Sequence, residues 1–145
     1  MIKIICIGKI KENYLKDLIN DYLIRISKYH KIEIIEIKDN EDITKETNEL
    51  LKYINVKDYN IALYINGINY DSINFSKHID NLFNYNSTIS FIIGGSNGLE
   101  KNVIDMCNEK ISFSKMTFPH GLFRGILLEQ IYRTFKINNN ERYHK

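Results

Sequence analysis

The 145-residue sequence contains no tryptophan, one proline and two cysteines. Cys6 and Cys107 stand in apolar stretches and match no paired-cysteine motif, so we expect free, buried thiols in a cytoplasmic protein. No apolar run approaches the roughly 20 residues that are needed to cross a membrane. The N-terminus also lacks the charged region and the cleavage site of a signal peptide. These absences argue against a secreted, disulfide-rich or membrane-spanning protein.

The sequence also lacks the residue spacing of a metal site. No histidine has ligand spacing with another histidine or with a cysteine, so a zinc site is not expected. His30 and His78 are interpreted as surface residues, whereas His120 either begins a helix or forms the wall of a cofactor pocket. The net charge of +2 permits an RNA partner without requiring one, because dedicated nucleic-acid-binding modules are usually more basic.

Predicted strands and helices alternate along the chain, and no repeat, linker or low-complexity segment divides it. Residue periodicity predicts strands at Ile2–Ile7, Ile32–Ile37, Ile61–Ile65, Ile89–Ile93 and Ile111–Phe113. It predicts helices at about 13–28, 43–54, around 75–83, at 100–107 and at 119–136. Asn66-Gly67 is interpreted as a turn that ends the third strand. The second strand alternates Ile with Glu and is expected near a sheet edge, and the wholly apolar fourth strand in the middle. The pattern predicts one α/β domain, a parallel sheet with helices on both faces.

The last predicted helix, which Pro119 opens, is apolar over most of its circumference. Its apolar arc covers roughly 240°, against about 100° for the stripe of a surface helix. The arc consists of Phe123, Ile126, Leu127, Leu128, Ile131, Tyr132 and Phe135. We expect a second copy of the protein to cover the side that the sheet leaves free. Arg124 projects into this arc and either forms an interface ion pair or binds substrate; an exposed, unpaired Arg124 would require the second explanation.

The segment Gly94–Gly98 follows the fourth strand, at the end where open α/β sheets bind ligands. Glycines allow the backbone to approach a ligand closely, but the same pattern also forms ordinary tight turns. No Gly-Lys-Ser/Thr follows the glycines, so this segment is not a P-loop. Its late position does not match the Rossmann dinucleotide-binding fingerprint.

The C-terminal tail, Asn138–Lys145, gathers chemically active side chains. Tyr143 has a ring that can stack on a base, His144 can move a proton near neutral pH, and Arg142 and Lys145 can hold phosphate. The alternative is a frayed chain end without function.

Four segments together carry a family resemblance: FIIGGSNGL, SFSKMTFPH, LLEQIYR and the terminal YHK. They resemble the SPOUT-class ribosomal RNA large subunit methyltransferase H family, along essentially the whole chain. The resemblance implies a homodimer with a C-terminal trefoil knot, which residue periodicity does not show. It implies methylation of N3 of a pseudouridine in 23S ribosomal RNA, with S-adenosylmethionine as donor and without a metal.

The resemblance also assigns site residues by position. The expected cofactor-binding residues are Leu63, Gly94, Phe113, Ser114, Lys115, Met116, Thr117 and Phe118. Tyr143 and His144 are the expected catalytic residues, and His144 is the first candidate for the base that removes the N3 proton. The expected substrate-binding residues are Arg124, Arg142 and Lys145, of which the resemblance assigns Lys145 and the chemistry of their side chains suggests the other two. Lys145 stands where some relatives have arginine, and a lysine acts as a point charge instead of a bidentate donor.

Two other functions remain open on the sequence alone. The first is a non-catalytic module of the same fold that binds RNA or the ribosome. The intact glycine segment, SFSKMTFPH and YHK argue against it. The second is a nucleotide-binding α/β enzyme of another reaction type, such as a dehydrogenase, and the missing early glycine fingerprint argues against that.

Overall fold

The computed structural model describes residues 1–145, which form five strands and five helices in alternation. The strands are β1 (Ile2–Ile7), β2 (Ile32–Ile37), β3 (Tyr59–Asn69), β4 (Ile89–Ile93) and β5 (Glu109–Ser112). The helices are α1 (Asn13–Ser27), α2 (Ile43–Leu51), α3 (Ser72–Phe83), α4 (Lys101–Met106) and α5 (His120–Asn138). Every predicted element is present in its predicted order.

The strands form a single sheet in the order β2-β1-β4-β3-β5, and every neighbouring pair is parallel. β4 lies at the centre and is buried along its whole length. β2 lies at an edge and is mostly half-exposed. Both placements were predicted from the apolar pattern. Because the strands are parallel, their carboxyl ends meet along one edge, which is where sheets of this kind bind ligands.

Helices cover both faces of the sheet, as predicted. Ile4 and Cys6 of β1 pack in a core with α1, α3 and α5. Ile5 and Ile7 point to the opposite face and pack with α2 and α4. The α/β fold class is confirmed, and the knot that the resemblance implies stays a prediction.

β3 continues through the Asn66-Gly67 pair to Asn69, so the prediction of a turn at that pair is wrong. The pairing of β3 with β5 shifts register between Leu63 and Ile68, and Gly67 lies within this irregularity. A Cβ atom on Gly67 would lie 2.7 Å from backbone atoms of Ile111. Glycine is therefore required for the close approach of two strands and not for a turn.

The apolar arc of α5 is largely covered within the chain itself, because α1 and α3 both pack along this helix. Leu127 and Ile131 are 0% and 1% exposed in the single chain. On the α1 side, a Cβ on Gly125 would lie 2.7 Å from Leu18 Cδ2, so glycine lets the two helices approach closely. The arc therefore does not require a second copy, and the argument for a dimer from this arc is wrong.

The beginning of α5 and the two cysteines differ from expectation in detail. Pro119 lies at the N-cap position, and its carbonyl accepts a hydrogen bond from the Phe123 amide at 2.9 Å. Cys6 is buried as predicted, whereas Cys107 is partly exposed. Burial raises the pKa of each thiol to about 11. None of the helices is both long and apolar enough to span a bilayer.

Candidate active site

A cavity of about 530 Å³, here called the glycine-loop cavity, opens at the carboxyl ends of β3, β4 and β5. Its walls are the end of β3, the loop after β4 and the segment between β5 and α5. Seven of the eight residues expected to bind cofactor line it: Leu63, Gly94, Phe113, Ser114, Met116, Thr117 and Phe118. Lys115 is not among the lining residues. The volume of the cavity lies in the range of small-molecule sites, about 300–1,000 Å³.

The glycine loop, Gly94–Gly98, forms both a tight turn and a wall of this cavity. The Gly98 amide donates to the Gly95 carbonyl at 3.0 Å, and Gly98 has a φ of +71°. A Cβ on Gly94 would lie 2.6 Å from the carbonyl carbon of Gly98. The two interpretations of this loop are therefore compatible, because the turn itself requires glycine and also places its backbone at the cavity.

The segment after β5 is held by its own serines and by aromatic packing. Ser112 Oγ donates to the Ser114 carbonyl, and the Met116 amide donates to Ser114 Oγ, each at 3.0 Å. The ring of Phe123 lies edge-on to Phe113, with centroids 5.3 Å apart, and is stacked with Phe118 at 6.2 Å. Phe113 and Phe118 therefore form a wall that α5 supports from behind.

A second cavity of about 540 Å³, here called the tail cavity, shares the wall formed by Phe113 and Phe118 with the first. His144 lines it, together with residues from the beginning of α3 and from α5. Ser72 Oγ donates to Gln130 Oε1 at 2.7 Å across this cavity wall. Residue periodicity did not predict Ser72 or Gln130 as site residues. No local pattern marks them, since only the packing of α3 against α5 brings them together.

The tail folds back on α5 and is anchored there. Asn140 adopts a positive φ of 55°, which helps to reverse the chain direction after the helix. Glu141 then accepts hydrogen bonds from the Tyr29 hydroxyl at 2.9 Å and from Lys136 Nζ at 2.8 Å. These hydrogen bonds, the one from Lys136 foremost, lower the pKa of Glu141. The tail is therefore anchored and not frayed, and its function stays a prediction.

Tyr143 packs against α5 through three contacts. Its hydroxyl donates to Glu129 Oε1 at 3.1 Å, and its ring lies edge-on to Tyr132 with centroids 5.0 Å apart. The guanidinium carbon of Arg133 lies 4.7 Å from the centroid of the Tyr143 ring. Burial, followed by hydrogen bonds with Tyr22 and Glu129, raises the pKa of Tyr143. The phenol therefore stays protonated at neutral pH.

His144 is held by a hydrogen bond between its Nδ1 atom and Arg133 Nη1, at 3.0 Å. A guanidinium only donates, so Nδ1 accepts and carries no proton in this arrangement. The proton of the neutral ring then lies on Nε2, the nitrogen that has no protein partner. A nitrogen that already bears a proton cannot accept another, so this geometry does not supply the general base that was expected of His144.

Arg124 is buried and is paired within its own chain. Its side chain is 1% exposed, and its Nη1 donates to Glu36 Oε2 at 2.8 Å. Its Nη2 donates to the carbonyls of Ile7 and Gly8 at 2.8 and 2.7 Å. The condition for a substrate clamp, an exposed and unpaired Arg124, is not met, and the expected interface ion pair is instead a pair within one chain. Arg124 connects α5 to the end of β1, whereas Arg142 and Lys145 are exposed.

The other histidines differ from one another in surroundings. His120 is the first residue of α5, as one interpretation expected, and it lines the glycine-loop cavity, whose role as a cofactor pocket stays a prediction. His30 stacks on Phe83, and His78 pairs with Glu109; both are half-buried, so each lies at the surface and also packs against a neighbour. No group of three or more His, Cys, Asp or Glu side chains could hold a metal ion.

Comparison with known proteins gives consistent matches along the chain. A family model described as "Predicted SPOUT methyltransferase" matches residues 1–144. A protein of Fusobacterium nucleatum named ribosomal RNA large subunit methyltransferase H is 48% identical over 153 residues, covering 99% of each chain. A protein of the same name from Clostridium botulinum is 48% identical over 157 residues, also covering 99% of each.

Two solved structures are similar in fold at low sequence identity. A probable methylase family protein from Haemophilus influenzae gives a TM-score of 0.59 at 11% identity, covering 99% of this chain and 70% of the other. The TrmH/SpoU tRNA modifying enzyme of A. aeolicus gives 0.51 at 13% identity, covering 95% and 77%. At these identities the structural similarity supports the fold alone.

Proposed function

Since the chain belongs to the SPOUT methyltransferase family, and within it to the ribosomal RNA large subunit methyltransferase H proteins, we propose the reaction as follows. The protein transfers a methyl group from S-adenosylmethionine to N3 of a pseudouridine in 23S ribosomal RNA. One observation carries this proposal: two cavities share the wall formed by Phe113 and Phe118. One of them is lined by the expected cofactor residues and the other by His144.

The glycine-loop cavity has the size and lining that the donor requires. S-adenosylmethionine, when bound, supplies a methyl carbon that is activated by the sulfonium to which it is attached. Leu63 and Phe118 offer apolar surface, and Gly94, Gly95 and Gly98 offer backbone polar groups that no side chain of their own covers. Ser114 and Thr117 offer hydroxyls from the opposite wall. We place Lys115, which does not line the cavity, in the same segment at its rim.

The tail cavity is the proposed place for the target base. Tyr143 and His144 are the proposed catalytic residues, held on α5 so that the ring to be methylated meets the methyl carbon in line. Arg142 and Lys145 project from the same tail and are the proposed contacts for RNA phosphates, which positively charged side chains hold without reading sequence. Arg124 is left out of the substrate-binding set because it is buried and paired.

We also propose that the protein is a homodimer in the cytoplasm, where ribosomal RNA is its substrate. Exposed apolar side chains line the two cavities: Ile65 and Met116 of the glycine-loop cavity are 45% and 76% exposed, and Ile73 of the tail cavity is 44% exposed. An apolar rim of this kind marks a surface that another molecule covers. Light scattering should therefore give twice the 17.2 kDa mass of the chain, and a monomer at micromolar concentration would contradict the dimer.

Calorimetric titration with S-adenosylmethionine, with NADH as the matched comparison, tests the cofactor assignment. Binding of the first ligand alone is expected, and binding of NADH alone would indicate a dehydrogenase. Transfer of a labelled methyl group is then measured on naked 23S ribosomal RNA, on large subunits and on assembled ribosomes. Donor binding without transfer to any of the three would indicate a non-catalytic binding module.

A further inference from the structure

The contact between Arg133 and His144 decides which chemistry the imidazole can perform. We propose that Arg133 holds His144 in the Nε2–H tautomer, so that His144 donates a hydrogen bond to a carbonyl oxygen of the target base. In this role His144 stabilises the charge that develops on the base and does not remove its proton. The inference rests on the proposed function for the identity of the base, but the tautomer itself follows from this chain alone.

Arg133 is fixed on one side by a carboxylate from its own helix. Its Nη2 and Nε donate to Glu129 Oε1 at 2.6 and 3.1 Å, one turn earlier on α5. The hydrogen bond that Arg133 donates to Glu129 also raises the pKa of Arg133, so the guanidinium keeps every proton. The remaining terminal nitrogen, Nη1, is directed to His144 Nδ1 at 3.0 Å. A fully protonated donor faces Nδ1, so the ring proton is on Nε2.

The same pair of α5 residues also positions Tyr143. Its hydroxyl donates to the Glu129 carboxylate, and its ring lies beneath the Arg133 guanidinium. Glu129 and Arg133 are half-buried, with 20% and 23% of their side chains exposed, and a helix holds them at fixed spacing. Arg133 is thus a positioning residue: it sets the tautomer and the orientation of His144 without touching the base itself.

The chemistry of the target base explains why a hydrogen-bond donor is useful at this site. When N3 loses its proton to hydroxide or a buffer base from solvent, the negative charge spreads over N3 and the two flanking carbonyl oxygens. An N–H group directed at one of those oxygens stabilises this anion. The N3 lone pair then forms the bond to the methyl carbon, while the carbon–sulfur bond breaks and leaves its electron pair on sulfur. His144 therefore keeps its proton throughout.

Replacement of His144 separates a donor from a base. A glutamine side chain can accept from Arg133 through its oxygen and donate through its nitrogen, but an amide is not a base at neutral pH. His144→Ala should lower the rate of methyl transfer by about 10²–10³-fold, as removal of one anion-stabilising donor does. His144→Gln should transfer methyl groups at least about tenfold faster than His144→Ala, and the two variants should bind S-adenosylmethionine with equal affinity. Equal loss of activity in the two variants would overturn the proposal.

Nitrogen NMR of protein labelled at its histidines tests the tautomer without cofactor or RNA. At neutral pH, the His144 ring of the wild-type protein should show an unprotonated Nδ1 and a protonated Nε2. The His144 signals are assigned as those that are missing from the spectrum of His144→Gln. Arg133→Met should convert this ring to a mixture of tautomers. Arg25→Met is the matched control, since Arg25 also pairs with a carboxylate four residues away and does not contact the tail. It should leave the His144 signals unchanged.

The two measurements fail in different ways. A proton on Nδ1 in the wild-type protein, or an Arg133→Met spectrum identical to wild type, would overturn the role of Arg133. Wild-type protein that shows the expected tautomer but transfers no methyl group would refute the proposed function instead.

Discussion

Replacement of Arg124 by leucine tests whether this residue is a structural contact within the chain or a substrate-binding residue. In the structure, Arg124 is a structural contact between α5 and β1, so Arg124→Leu should destabilise the fold. The substitution removes the side-chain donor to the Ile7 and Gly8 carbonyls. It also leaves the Glu36 carboxylate without its cation, although Glu36 still accepts from the Ile10 amide at 3.1 Å.

The size of the effect follows from what is left unpaired. Each buried polar group that loses its partner costs about 1–3 kcal/mol, and breaking a buried ion pair costs about 3–5 kcal/mol. The Glu36 side chain is 36% exposed, so water can solvate it and the cost belongs at the lower end. We expect the free energy of unfolding to fall by about 3 kcal/mol, which corresponds to a melting temperature lower by roughly 10 °C.

Urea unfolding at fixed protein concentration measures this loss, and Arg25→Leu is the control. Arg25 forms an exposed pair with Asp21, at 45% and 55% side-chain exposure, so its replacement should cost less than about 1 kcal/mol. The reasoning is refuted if Arg124→Leu unfolds at the wild-type urea concentration while RNA binding or methyl transfer is lost. That result would restore Arg124 as a substrate-binding residue.

Three further predictions concern the glycine loop, the tail and the thiols. Gly94→Val should weaken S-adenosylmethionine binding by distorting the loop, since its Cβ would meet the Gly98 backbone at 2.6 Å; calorimetry showing wild-type affinity would mean that the loop is not a wall of the cofactor site. Deletion of Tyr143–Lys145 should abolish methyl transfer while donor affinity stays nearly unchanged, and full activity in the deletion variant would remove the tail from the mechanism. Cys6, which is buried and has a thiol pKa raised to about 11, should react with a thiol reagent at pH 7.5 only after unfolding, whereas the partly exposed Cys107, whose pKa is also raised to about 11, should react slowly in the native protein; rapid reaction of Cys6 in native protein would contradict its burial.

The sequence predicted the parts of this fold that depend on local patterns. The apolar runs Ile2–Ile7 and Ile89–Ile93 match β1 and β4 because a buried parallel strand is apolar on both faces. Sequence patterns failed where a residue type is determined by a neighbour distant in sequence. The Asn66-Gly67 dipeptide predicts a turn, but glycine is needed at position 67 because the backbone of β5 lies close to it.

The same limit applies to α5 and to the site. Periodicity showed how wide the apolar arc of α5 is, but α1 and α3, distant in sequence, cover Leu127 and Ile131. For the cofactor residues, the family resemblance supplied positions that the structure gathers around one cavity. The chemistry of His144 was out of reach, because it depends on a hydrogen bond from Arg133 that forms only when the tail folds back on the helix.

The central claim is that this protein methylates N3 of a pseudouridine in 23S ribosomal RNA, and mapping of the methylated nucleotide tests it most directly. Ribosomal substrate lacking the modification is incubated with the protein and labelled S-adenosylmethionine, and the RNA is digested and analysed by mass spectrometry. We predict one labelled nucleoside, a pseudouridine that carries the methyl group on N3. A label on another base, on a ribose or on ribosomal protein would contradict the claim.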